Sequence, residues 1–298
     1  MTILWLGDKD CHEVQRVGGK AANLSRLASG YRVPAGFCIT PDLYHQWLEC
    51  PKQEMELPQD LHGIISREYQ EMTARCGVVD PAVAVRSSAL DEDGQGTSFA
   101  GQYDTFLNIQ GPDAISDAIV KCWDSVGGER MEAYRKEHNL PAESLGVAVL
   151  VQQMVAAEVS GVVFSANPIS GNRDEVMINA TWGLGESLVS GKVTPDTLVI
   201  QKLDFKIKDS QIGEKGLMTV LTEGGTEEVR VPRAQRQAPT LDDEKTGEIT
   251  KLAIDLEREM GWPVDLEFAY YANDLYLLQC RPITTLSHQG LRQQTITL

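Results

Sequence analysis

Hydrophobic positions along this chain follow two periods, and the switches between them lay out the expected elements. Short apolar or alternating runs read as strands: ILWL at 3–6, AVAVR at 82–86 and TFLNI at 105–109. Three more follow in close succession, GVAVLVQQMV, SGVVFSANP and EVMINATWG, over 146–155, 160–168 and 175–183. A further strand is expected over 196–207. Helical spacing covers 113–138 and 242–260, the second run opening on Asp242, Asp243 and Glu244, acids that suit a helix N-terminus. Val17-Gly18-Gly19-Lys20 reads as a loop opening a helix, with Lys20 in its first turn. Residues 31–39 are extended and broken by Pro34-Ala35-Gly36, and a polar helix follows Thr40 and Pro41. The strand at 82–86 ends on Arg86-Ser87-Ser88 and gives way to a polar loop, ALDEDGQGTS, expected to be mobile. A turn covers 99–104. Residues 209–240 are polar, irregular and at most hairpin-like, and the chain after Leu286 is a polar tail.

The sharpest pattern lies in VDLEFAYYANDLYLLQCRPITT, residues 264–285. Two apolar-rich runs flank Ala272-Asn273-Asp274, which is turn chemistry. A hairpin centred on Asn273 sets Glu267 opposite Gln279 and Asp265 opposite Arg281. All four numbers are odd, so a period of two puts them on one face, with Leu266, Phe268, Leu278 and Cys280 on the other. That face collects two carboxylates, an amide oxygen and a guanidinium. Oxygen ligands of this kind suit Mg2+, which takes one or two protein ligands and completes its shell with phosphate and water. Arg281 suits a forked contact with phosphate. The same spacing fits a solvated face with an Asp265–Arg281 ion pair worth ~0.2–1 kcal/mol, and a one-residue slip would undo the pairing.

Charge and composition narrow the partners. The formal net charge of −16 argues against a nucleic-acid or anionic-membrane surface. It leaves room for a small anion held by a few focused cations. No stretch approaches the apolar length of a membrane span, and MTILWLGDKD lacks the basic and apolar regions of a secretory signal. Six cysteines without close metal-ligand spacing fit a reduced, cytoplasmic protein. The five histidines are scattered, are expected mostly on the surface, and support neither zinc nor nucleophilic chemistry.

Other segments carry weaker phosphate and nucleotide signals, each with a plain structural alternative. Gly18-Gly19-Lys20 suits phosphate by backbone and ammonium, though it is no Walker A loop and equally starts an ordinary helix. Arg86 is either an anion ligand or a surface arginine. Gly101-Gln102-Tyr103-Asp104-Thr105 is a glycine turn that either covers a triphosphate or merely enters a strand. Gln152-Gln153-Met154-Val155 either offers backbone groups to an adenine edge or simply ends a strand. In Trp182-Gly183-Leu184-Gly185-Glu186 the acid is placed to meet a ribose, on a Gly-x-Gly turn that is weak evidence alone.

Taken in order, VGGKAANL, VPAGFCIT, VAVRSSA, SFAGQYDTFLNI, VLVQQMV, SGVVFSANPIS, GLGESLVSG, VDLEFAY and LYLLQCRPITTL resemble the nucleotide-binding domain shared by phosphoenolpyruvate synthases, pyruvate phosphate dikinases and rifampin phosphotransferases. FAGQYDTFLNI and QCRPITTL look most like the last, which would make antibiotic resistance a possible role. The likeness runs over about residues 6–286, with 287–298 as tail. It implies an α+β ATP-grasp fold with ATP and Mg2+ in the cleft between two lobes. By motif, Lys20, Arg86 and Arg281 would be the catalytic phosphate-contacting residues. Gly101, Gln102 and Thr105 would belong to the phosphate loop, and Gln152, Gln153, Met154 and Val155 would line the adenine. Glu186 would stand near the ribose, and Glu267 and Gln279 would be the metal ligands. Asp265 matches a nearby acid of the same strand.

In that family ATP is split to AMP and phosphate, the phosphoryl group passing through a histidine on a separate swivelling domain to pyruvate or a drug hydroxyl. Nothing in this sequence resembles the Thr-x-His-x-Ala context of that histidine, nor an acceptor domain. The expected partners are ATP and a small-molecule acceptor, joined by a separate phosphohistidine domain and an acceptor domain where the chain is an excised piece or serves a histidine on another chain, and by neither where it phosphorylates the acceptor directly. Two rival readings remain: an ATP-grasp ligase that activates a carboxylate as acyl phosphate with ADP release, and a non-catalytic ATP-binding module.

Overall fold

The computed structural model describes residues 3–49, 57, 59–89, 105–126, 147–222, 225–283 and 286. The chain divides into two compact units, Met1–Met154 and Val155–Leu298. Each mixes helices with antiparallel sheet, the α+β class expected from the sequence. No helix among the described residues is long and apolar enough to cross a membrane.

The first unit is built on five strands: β1 (Ile3–Trp5), β2 (Gly36–Ile39), β3 (Val83–Ala89), β4 (Thr105–Ile109) and β5 (Val147–Gln153). Their order is β1-β2-β5-β3-β4 and every pairing is antiparallel. Alternation splits the sheet into two faces. Phe37, Ile39, Val83, Val85, Val147, Val149 and Val151 point to one face. There they meet Leu43 and Tyr44 of α2 (Pro41–Glu49), Leu61, Ile65, Tyr69 and Met72 of α3 (Gln59–Cys76), and Ile115, Ile119 and Trp123 of α4 (Pro112–Val126). The other face is packed by α1 (Val14–Leu27), where Cys38 Sγ reaches Val17 O at 3.7 Å and Ala21 N donates to Ser88 Oγ at 3.3 Å.

Two expectations are corrected in this unit. β3 does not stop at Arg86: it runs on to Ala89, because Ser87 and Ser88 pair with Val149 and Ala148 of β5 and are buried. And α3 fills a stretch to which the sequence reading assigned no element. The acidic loop from Leu90 onward, the turn at 101–104 and the end of the expected helix beyond Val126 lie outside the described residues.

The second unit carries a six-stranded antiparallel sheet of β6 (Val159–Phe164), β7 (Glu175–Trp182), β8 (Asp196–Gln201), β9 (Ile207–Gln211), β12 (Val264–Tyr271) and β13 (Asp274–Pro282). The order is β13-β12-β6-β7-β8-β9, and a separate hairpin pairs β10 (Leu217–Thr222) with β11 (Gly225–Arg230). The single strand expected at 196–207 is thus two, joined by a turn that Phe205 closes at φ 59. The stretch expected to be irregular contributes an edge strand as well as the hairpin. A short helix, α5 (Glu186–Val189), follows β7, and α6 (Asp243–Met260) lies across one sheet face. Asp242 caps α6 by accepting from Lys245 N at 2.8 Å, and Gly261 ends it at φ 76, a left-handed conformation suited to glycine. Ile249, Ala253 and Leu256 of α6 are buried, as are Leu266 and Phe268 of β12. Tyr270 ties strand to helix by donating to Glu248 Oε2 at 2.6 Å.

Candidate functional site

With β12 backed by α6 on its Leu266–Phe268 side, the opposite side of the strand is free to carry polar chemistry. The register is the one expected: Asp265 pairs with Arg281 and Glu267 with Gln279. It is reached by another route. The turn has two residues, Ala272 and Asn273, at φ 51 and 65, rather than three centred on Asn273. Such a turn alone would shift the pairing by one. A bulge beyond Glu267 restores it, since Phe268 pairs with Leu277 and leaves Leu278 as the extra residue. Leu277 therefore takes the inward place expected of Leu278: it is buried, and Leu278 is only half-buried.

Burial separates this face from a solvated one. Asp265 is 8% exposed and Gln279 6%. Among the described residues no protein group hydrogen-bonds the Gln279 amide. Its amide atoms are not among the fully buried polar groups, so they stay within reach of water or a ligand. Glu267 stands directly across on the neighbouring strand. Arg281 donates from Nε to Asp265 Oδ2 at 2.9 Å. Burial pushes the Asp265 carboxyl above its ordinary value; Arg281 opposes the shift and the nearby Glu267 charge adds to it.

The face continues across the sheet. Glu267 pairs with Val162 of β6, Val162 with Asn179 of β7, and Asn179 with Thr197 of β8. One row along lie Phe164, Met177 and Val199 beside Asp265. The sequence reading missed Asn179 and Thr197, because only the registers of three successive strand pairings bring them into line with Glu267.

Among the described residues no group of three or more His, Cys, Asp or Glu could cage a metal. One carboxylate beside one amide oxygen instead fits a hard cation that keeps most of its shell for substrate and water.

The first unit gathers a second polar set. Gly18 breaks α1 at φ 75 and ψ 169, so helix resumes at Gly19 and Lys20 falls in its first turn, as expected. A Cβ on Gly18 would lie 2.2 Å from Ser88 O, so only glycine lets α1 approach β3 this closely. Lys20 Nζ then reaches Ser87 O at 3.5 Å. On the α1 side of the sheet, Arg86 pairs with Thr105 on one neighbour and Leu150 on the other, and Gln152 pairs with Ala84 one row along. Gln152 is 3% exposed, and its Nε2 is buried without a hydrogen-bond partner among the described residues. Gln153 N donates to Ala35 O and Met154 N to Ala82 O, both at 2.8 Å, so these backbone donors are engaged within the protein. Val155 is half-buried.

Lys20, Arg86, Thr105 and Gln152 thus belong to one unit, and Glu267, Gln279 and Arg281 to the other. Glu186 is exposed at the start of α5, in the second unit, just after the turn that Gly183 makes at φ 74. Gly101 and Gln102 lie outside the described residues.

Residues 52–297 match the family model described as "Pyruvate phosphate dikinase, AMP/ATP-binding domain". A probable phosphoenolpyruvate synthase of Methanocaldococcus jannaschii is 36% identical over 95% of this chain and 27% of its own length. A rifampicin phosphotransferase of Streptomyces sviceus is also 36% identical, over 95% of this chain and 36% of its own. This chain thus spans well under half the length of these curated relatives. Among solved structures, D-alanine–D-alanine ligase from Bacillus anthracis aligns at 10% identity and a TM-score of 0.35, covering 97% of this chain and 71% of that one. With its matched residues spanning most of its length, the chain belongs to the pyruvate phosphate dikinase AMP/ATP-binding domain family.

Proposed function

We propose that this chain is the ATP-binding, phosphoryl-transferring part of a phosphotransferase of the phosphoenolpyruvate synthase and rifampicin phosphotransferase kind, its two units being those of an ATP-grasp domain. One observation carries the reading: Gln279 is 6% exposed, has no protein hydrogen-bond partner among the described residues and faces Glu267 directly across the β12–β13 ribbon, with Arg281 one pleat further.

Glu267 and Gln279 would hold Mg2+, which when bound neutralises and polarises phosphate oxygens. Arg281, kept upright by Asp265, turns its outer nitrogens to the phosphate. Lys20 and Arg86 add positive charge where it builds on the transferring and leaving groups, the main demand of phosphoryl transfer. Thr105, with Gly101 and Gln102, covers the phosphates. The orphan Nε2 of Gln152 and the neighbouring Gln153, Met154 and Val155 receive the base, and Glu186 the ribose. A histidine on a separate domain accepts the β-phosphoryl group to become phosphohistidine and passes it to a small molecule, while water takes the terminal phosphoryl group, so that AMP and phosphate are the other products.

The test is incubation with ATP, Mg2+ and a separately supplied phosphohistidine domain, with AMP, ADP and phosphate resolved. AMP formation is expected, and its loss in Glu267→Ala and Arg281→Ala proteins that remain folded. Undiminished AMP formation in either variant would overturn the hairpin assignment. ADP formed only with a carboxylate acceptor would point to a ligase instead. Tight ATP binding with no consumption would point to a sensing module.

A further inference from the structure

A polar pair on the same sheet face has no place in that scheme. Asn179 sits mid-strand in β7, two strands from Glu267 and in its row. Asparagine is depleted in strands, and here its neighbours Ile178 and Ala180 are buried on the opposite face. Thr197 of β8, paired with it, donates from Oγ1 to Asn179 Oδ1 at 2.9 Å. That bond occupies the amide oxygen and fixes the plane of the group. The two N–H donors on Nδ2 are left, and among the described residues no protein group accepts them. Asn179 is half-buried, and its Nδ2 is not among the fully buried polar atoms, so a ligand can reach it.

The spacing says what those donors can reach. Neighbouring strands lie about 4.8 Å apart, so the Asn179 and Glu267 backbones are separated by roughly 10 Å. The residue between them is Val162, whose short side chain leaves the row open above it. A polyphosphate carried on a cation held by Glu267 and Gln279 would lie within reach of this interval. A neutral donor of fixed direction at its far side suits an oxygen of that chain.

We propose that Asn179 is a further nucleotide-binding residue, its Nδ2 donating to an oxygen of the metal-bound polyphosphate, with Thr197 as the positioning residue that sets the amide. This rests on the ATP reading of the Glu267–Gln279 site.

The two roles open to Asn179 predict opposite orders in a pair of variants. Asn179→Asp keeps an oxygen for Thr197 and loses the donors; Asn179→Ala loses both. If the residue meets phosphate, calorimetric titration with ATP and Mg2+ gives affinity in the order wild type, then Ala, then Asp. The Asp protein loses about ten- to a hundredfold, the size of a hydrogen bond to a charged group. Thr197→Val weakens binding less than either. If the pair only fastens β7 to β8, Asp binds as the wild type does and Ala alone is impaired, which overturns the proposal. Equal affinity in all three also overturns it. Thermal unfolding without nucleotide reports whether each variant is folded, and Asn179→Ser serves where Asp fails. A wild-type protein that does not bind ATP at all sinks the functional reading itself, an outcome distinct from either failure of Asn179.

Discussion

Replacing Arg281 by alanine tests the hairpin through stability as well as turnover. It removes one member of an ion pair whose other member is shut away: the Asp265 side chain keeps 10% exposure and that of Arg281 37%. Two limits bracket the cost. Breaking a fully buried pair costs about 3–5 kcal/mol, whereas an exposed pair contributes about 0–1 kcal/mol. Because the arginine is more than a third open and partly screened, the loss belongs between them, at roughly 1–3 kcal/mol near neutral pH. A unit of this size moves its midpoint by about 2–4 °C per kcal/mol, so the melt falls by roughly 3–10 °C.

The pH dependence has a definite sign. Burial already holds the Asp265 carboxyl above its ordinary value, and losing Arg281 raises it further. A folded-state value above the unfolded one means that the folded protein keeps its proton longer, so stability falls as pH rises between the two. The variant is nearest the wild type in acid, where Asp265 is neutral in both states. Its deficit grows as pH rises toward the raised folded value and is constant beyond it. Melts followed by circular dichroism between about pH 5 and pH 8 read this directly. Adding Asp265→Asn removes the stranded charge and recovers most of the stability, while ATP turnover remains lost. A deficit that ignores pH and is not relieved by Asp265→Asn would refute the reasoning.

Two further substitutions probe the scaffold. Gly161→Ala places a Cβ 2.2 Å from Asn179 O and 2.7 Å from Phe268 Cζ, between β7 and the side chain behind Glu267. Overpacking of about 1–3 kcal/mol is expected as a lower urea midpoint, and an unchanged midpoint would mean that this contact yields freely. Lys215→Met strips the counter-charge from Asp196, which is 2% exposed and otherwise accepts from Gly213 N, Thr240 N and Thr240 Oγ1. A loss near 3–5 kcal/mol is expected in chemical denaturation, partly recovered by adding Asp196→Asn.

How far the sequence discloses this molecule depends on how local each fact is. The facing of Glu267 and Gln279 follows from a period of two and a turn, and both are written in adjacent residues. The turn type and the bulge are not, because the two-residue turn and the extra Leu278 offset each other in register. The stripe Leu61, Ile65, Tyr69 and Met72 of α3 is present at helical spacing but is interrupted by Gly63, which is exposed and costs nothing in packing there. The extension of β3 past Arg86 is hidden for another reason. Serines are poor advertisers of a strand, and Ser87 and Ser88 are held by β5, which arrives much later in the chain.

Those serines point to a more general signal. Gln279, Gln152 and Asn179 also sit in strands at positions a purely structural sheet would fill with Val, Ile or Thr, and each keeps a hydrogen-bonding group that no protein atom satisfies among the described residues. Local rules are broken most informatively where the break leaves a donor or acceptor waiting. Ser88 breaks the pattern and is satisfied, since its Oγ accepts from Ala21 N, and its role is to seat α1. Arg281 is tied at Nε to Asp265 Oδ2, which marks a residue whose guanidinium is positioned by the protein. By this criterion the polar face of β12 and β13 carries the proposed binding site, because among the described residues no protein group meets the Gln279 amide. Asn179, missed by pattern alone, joins it on the same physical ground.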